Sequence, residues 1–355
     1  MNITRSCLIV ALLFVTASSH TNAQNPVREP IATVELHEKW GFIDRSGRYV
    51  LDKQFDGAGT FSEGLAAVKI GRKWGYIDAS GTLVISPQFE ASGDFSEGMA
   101  SVTVGGKDGF IDSVGAITIV PEFDHAWPFS CGLAMVEVNH KRGYINKSGQ
   151  IIVSPRFDFA MPFSEGLALV SQSGKVHFIN RLGKMITDID IGPGAESFSE
   201  GMAKVQVGKK WGFIDSAGEL AIAPEFDYAF SFSDGLAAVG KDQHYWFINR
   251  TGATVAGPWI STSLGCDGWK FGDGVALVQA DGRCVLIDES GSVLVQTDLH
   301  PLDGVIYPFS EGLARIATDS GFGYIDENGM IAIQPQFDYA TDFSLPGSSR
   351  PELRP

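Results

Sequence analysis

Seven histidines stand at 20, 37, 125, 140, 177, 244 and 300, and none falls into a His-Glu-x-x-His spacing or pairs with cysteine in a zinc pattern. No metal site is expected. The chain has no Gly-x-Ser-x-Gly elbow, Walker loop or dinucleotide fingerprint, and Gly57-Ala58-Gly59 sits in a loop of the repeat described below. Neither a catalytic residue nor a cofactor is therefore expected. The residues that do recur are acids: Glu63, Glu97, Glu165, Glu200, Asp234, Asp273 and Glu311 occupy one equivalent site before a glycine, usually beside serine. Two chemistries are open to such a row. A carboxylate in that setting fits a turn and accepts backbone N–H bonds, whereas a stripe of like charge would draw a cationic partner or divalent ions. The turn reading is favoured.

Trp40, Trp74 and Trp211 could stack on sugar rings if exposed, but their strand positions predict core packing. The irregular stretch Pro258 to Asp273 is different, because extra loop length on a rigid scaffold is where binding is placed. Its Trp259, Asp267 and Trp269 are the candidate binding residues. Cys266 and Cys284 flank the strand Val275 to Gln279 and its following turn, so in an oxidising compartment they could form a disulfide. Cys131 replaces the acid of its own repeat and is expected to remain a half-buried thiol.

The elements that carry these residues follow from an internal repeat. An Ile-Asp or Ile-Asn pair falls at Ile43, Ile77, Ile111, Ile145, Ile179, Ile214, Ile248, Ile287 and Ile325, at spacings of 34, 34, 34, 34, 35, 34, 39 and 38. Each pair is followed by a glycine at a fixed distance, from Gly47 to Gly329, and Phe-Ser-Glu-Gly-Leu-Ala recurs in phase. In the second copy, Leu65 to Ile70 alternates and is rich in β-formers, Gly71-Arg72-Lys73 turns, and Trp74 to Asp78 returns. Asp78-Ala79-Ser80-Gly81 is a type I turn with a left-handed glycine bulge, and Thr82 to Ser86 is a third strand ended by Pro87. Trp74 and Tyr76 point to one face and Ile77 to the other, so a single unit cannot hide its apolar groups and must be covered by its neighbours. Alanine at Ala66 and seven equivalent positions marks close sheet-to-sheet approach.

The fold class expected is all-β: nine three-stranded antiparallel meanders over residues 31–344. An open curved or superhelical stack is favoured over a closed propeller-like ring, since propellers usually have four to eight blades of four strands. Composition agrees, with 42 glycines, 24 phenylalanines and 16 prolines in 355 residues. The net charge of -15 speaks against nucleic acid and anionic lipid as partners. Residues 1–23 read as a signal peptide, with Arg5, an apolar run from Cys7 to Ala17 and small residues at Thr21-Asn22-Ala23. The mature chain is then an exported one, periplasmic or extracellular, with no membrane-inserted span. Residues 24–30 are expected to be a linker and 345–355 a disordered tail.

Lys39-Trp40-Gly41-Phe42-Ile43-Asp44, Lys73-Trp74-Gly75-Tyr76-Ile77-Asp78 and Lys210-Trp211-Gly212-Phe213-Ile214-Asp215 resemble the WG-repeat (KWG-repeat) proteins of bacteria. The Trp-Gly pair is intact only in units one, two and six, so a role resting on that tryptophan cannot be general. The resemblance implies a β-rich repeat module that binds something, and it brings no catalytic residues. The same hairpin is similar to cell-wall-binding aromatic repeats, which implies an envelope glycan. The leading expectation is a non-enzymatic scaffold for a protein or other envelope macromolecule. The alternatives are a glycan-binding module and an enzyme with its site in the 258–273 insertion.

Overall fold

The computed structural model describes residues 29–260, 269–280, 283–296 and 305–348. The first unit is β1 (Ile31–Leu36), β2 (Lys39–Asp44) and β3 (Tyr49–Phe55). The second is β4 (Gly57–Ser62), β5 (Leu65–Ile70), β6 (Lys73–Asp78) and β7 (Leu83–Phe89), hydrogen-bonded in that order. β5 and β6 pair from Leu65↔Asp78 to Ile70↔Lys73, leaving a two-residue hairpin loop. The following turn is as expected: the Gly81 N–H donates to the Asp78 carbonyl at 2.9 Å, and Gly81 has a φ of 83°.

The glycine after Trp74 has a reason that lies on β7. The register between β6 and β7 shifts on both sides of Tyr76, so Ser86 and Pro87 bulge toward Gly75. A Cβ at residue 75 would collide with the Ile85 carbonyl and stand 2.7 Å from the Pro87 nitrogen. Where the glycine is missing, the third strand changes. At His177 it reduces to the bridges Val176↔Ile191 and Ile179↔Met185, and at Val285 it shortens to Val293–Gln296. At Trp246 the glycine moves across to Gly257, whose Cβ would lie 2.8 Å from the Tyr245 carbonyl oxygen.

Each sheet is covered on both faces by its neighbours. Ala67, Tyr76 and Ile85 of unit two pack against Ala100, Val102 and Ile111 of unit three. Ala66, Val68 and Ile77 pack against Phe42 and Phe55 of unit one. Ile77 and its eight counterparts are at most 2% exposed, and so is each alanine equivalent to Ala66. The expectation of sandwiched sheets therefore holds, with one correction at the third strand. Leu83 and Val84 stay about half exposed while Ile85 and Phe89 are buried, because outer strands on a longer perimeter cannot all meet their neighbours.

The open stack is not what forms. The segment before Phe-Ser, expected as a loop, supplies an extra inner strand to the next sheet, as Ala91–Ser92 does by pairing with Thr103 and Val102. Six of the nine sheets are four-stranded among the described residues. Among the described residues, nothing before Ile31 pairs with the inner edge of β1. Tyr339–Ala340 fills that edge by pairing with Glu35 and Val34, and Ile31 and Ser344 exchange backbone bonds at 3.0 and 3.1 Å. The nine sheets thus close into a propeller-like ring with its seam at unit one. Beyond the seam, Pro346 and Ser348 accept the Gly64 and Glu63 N–H groups at 2.8 and 3.4 Å, so residues 345–348 are placed on unit two. The proposed signal peptide, and the tail after 348, lie outside the described residues.

Candidate functional site

The inner rim of the ring carries the repeated Phe-Ser-Glu-Gly groups, whose serine hydroxyls and carboxylates bond from one unit to the next. The Ser62 hydroxyl donates to the Phe95 carbonyl of the next unit, and the same bond recurs from Ser96, Ser130, Ser164, Ser199, Ser233 and Ser310 at 2.6–3.0 Å. The acids stand at left-handed φ of 50–56°. The Glu63 carboxylate accepts the Glu97 and Gly98 N–H groups, Glu97 that of Gly132, Glu165 that of Gly201 and Glu200 that of Gly235. Asp234 and Asp273 repeat the bond with Gly274 and Gly312 at 3.0 and 2.8 Å. The row is a set of stitches from one unit to the next.

The turn residues are equally occupied. Oδ1 of Asp44, Asp78, Asp112, Asn146, Asn180, Asp215, Asn249, Asp288 and Asp326 accepts the N–H groups two and four residues on. A third set of acids clamps the hairpins. Asp56 pairs with Lys39 at 2.5 Å and accepts the Gly71 N–H at 2.6 Å; Asp124, Asp158 and Asp227 do the same for later units. The lysine bond first, then the hairpin N–H, holds these four carboxyls below the ordinary aspartate value.

The tryptophans of the intact Trp-Gly pairs are half-buried rather than free platforms. Trp40 packs beside Tyr339 across the seam, and Lys69 and Lys204 lie over Trp74 and Trp211. Of the insertion residues, Trp269 is 4% exposed and lies nearly parallel to Tyr245, with centroids 4.7 Å apart. Trp259 is half-buried with Phe247 against its edge at 5.8 Å. The fold brings these two rings together around Phe247, while Asp267 and Cys266 lie outside the described residues. Cys284 is fully buried and disulfide-bonded, and Cys131 is a free, half-buried thiol.

Sequence reasoning missed one aromatic feature. Tyr228 is 61% exposed and stacks on Tyr245, making it the outer member of a Tyr228, Tyr245, Trp269 row. Its signal was the aromatic residue after Phe-Asp, shared with Phe159 and Tyr339. At the inner rim a cavity of ≈ 650 Å³ is walled by Asp234, Asp273, Glu289, Asp342 and the rings of Phe271 and Phe309. No cluster of three or more His, Cys, Asp or Glu suited to a metal occurs among the described residues, nor any helix long and apolar enough to cross a membrane.

The WG containing repeat matches residues 40–74, 74–107, 109–141, 143–175, 178–211, 211–245 and 322–344. No curated protein sequence matches the chain. Among solved structures, the crystal structure of the eukaryotic initiation factor is similar at a TM-score of 0.62 and 11% identity, covering 89% of this chain and 98% of that one. Dihydro-heme d1 dehydrogenase NirN in complex with DHE follows at 0.49 and 11%, with 90% and 75% covered. BamB from Moraxella catarrhalis stands at 0.39 and 11%, with 82% and 92% covered. The likeness to the first is one of fold alone.

Proposed function

The chain belongs to the WG-repeat family, and we propose that it is an exported, non-enzymatic ring that holds a protein or another macromolecule of the cell envelope. One observation carries this reading: the residues that recur from unit to unit are already spent on binding one unit to the next. What is left to recognise a partner is what differs between units, on loops and strand edges of a rigid frame. The features of residues 1–23 support export. The test is a pull-down with the protein from envelope extract, run beside sedimentation with peptidoglycan. Capture of a discrete protein, competed by excess untagged ring, is the expected result. Retention on the polymer alone would reject the protein scaffold.

A second reading, a glycan-binding module, is favoured by the exposed Tyr228 ring backed by Tyr245, since a flat aromatic face suits the C–H face of a sugar. The same sedimentation decides it: Tyr228→Ala should release the protein from peptidoglycan without lowering its melting temperature.

A further inference from the structure

Two of the stitches hold their carboxylate between the same pair of donors. Glu97 accepts the Gly132 N–H at 3.0 Å and pairs with Lys147 at 3.2 Å; Glu200 accepts the Gly235 N–H at 2.8 Å and pairs with Arg250 at 3.3 Å. The cation stands 50 positions beyond the acid in both. Cys131 occupies the acid's place in unit four, with the same left-handed φ of 54°. Arg181 stands where the cation is due, and its guanidinium reaches over that turn: a Cβ on Gly132 would lie 2.8 Å from its Nη2. Arg181 is exposed and has no ion-pair or hydrogen-bond partner among the described residues. The Gly166 N–H, the counterpart of those of Gly132 and Gly235, has no acceptor among them either.

Both donors of the carboxylate cradle are thus present between units four and five, and the chain's own carboxylate is not. We propose that this notch binds a carboxylate group from outside the chain, held by charge-assisted bonds from Arg181 and the Gly166 N–H. The same donor pair holds a carboxylate at two other junctions of this ring. A free small carboxylate and an acidic side chain presented by another protein share this chemistry. The notch acts whether or not the ring's main partner is a protein.

The thiol beside the notch makes occupancy measurable in the full-length protein, with alkylation of Cys131 followed by peptide mass mapping. Iodoacetate and iodoacetamide undergo the same reaction, in which sulfur displaces iodide and the thiol proton passes to solvent, and they differ in the carboxylate. The iodoacetate-to-iodoacetamide rate ratio should be about two- to five-fold higher in the native protein than in Arg181→Gln, the size of one exposed charge pair. Acetate should slow the iodoacetate reaction saturably where chloride at equal ionic strength does not. Stronger protection by an end-blocked glutamate peptide would assign the natural carboxylate to a side chain, and equal protection to a free ion. Equal rate ratios in the two proteins, or no protection by acetate beyond chloride, would overturn the notch. Cys131→Glu supplies the missing group internally and should raise the melting temperature; an unchanged or lower value also counts against the proposal.

Discussion

Serine and glutamate in the Phe-Ser-Glu-Gly signature make separate bonds to the same neighbour, one to a carbonyl and one to an N–H, so a junction that keeps both residues is satisfied in both polarities. The glutamates' turn role could be read from the chain, because a carboxylate beside serine and before glycine suits a backbone donor. That the donor belongs to the next unit could not, since the two lie 34 or more residues apart. The hairpin clamps give a pH dependence whose sign is fixed by their direction. Asp56, Asp124, Asp158 and Asp227 sit below the ordinary aspartate value when folded, so their contribution is complete above the unfolded value and is lost as pH falls through the folded one. Urea midpoints should hold above about pH 5 and fall below about pH 4, where free aspartate begins to protonate. Replacing all four by asparagine should flatten that acid limb, and an unchanged limb would assign it to other carboxyls.

A single sheet holds the second lesson. The Trp-Gly pair is a statement about the third strand: glycine is needed where Ser86 and Pro87 bulge inward, and tryptophan is optional. This is why Asp108-Gly109 and Arg142-Gly143 keep full third strands without tryptophan, whereas His177 does not keep one. Gly75→Ala should cost about 1–3 kcal/mol, as overpacking against backbone does, measured as a fall in the thermal midpoint. A silent substitution would mean that the bulge yields without resistance. The strands themselves were legible from alternation, but the short inner strand was not. Two paired residues such as Ala91 and Ser92 leave no periodic trace, and their pairing is decided by the next unit.

The ring as a whole depends on a seam that is not covalent. β1 is completed by Tyr339–Ala340, with further bonds from Thr33 to Thr341 and from the His37 N–H to Asp338. Trp40 and Tyr339 pack together there as well. Glu35, beside Asp338 and Glu38, has its carboxyl raised by burial first and then by those two charges, so the seam carries some repulsion of its own. Removing residues 338–355 should open the ring, with faster amide exchange across Ile31–Leu36 and a larger radius in solution. Retained protection of β1 in the truncated chain would show that closure is not what holds that strand.

The chain by itself determined the unit: its length, its three main strands, its glycine turn and the burial of both faces, all of which follow from local periodicity and from the need to hide apolar groups. It did not decide between arc and ring. The last unit ends in the short inner strand Tyr339–Ala340, and only closure on β1 gives that strand a partner. Ring formation depends on a small rotation accumulated over nine interfaces, and that angle is set by packing between sheets, which no single repeat encodes. The same distance in sequence hid the notch at Cys131, where the missing acid and its waiting arginine stand fifty residues apart and meet only when the units stack.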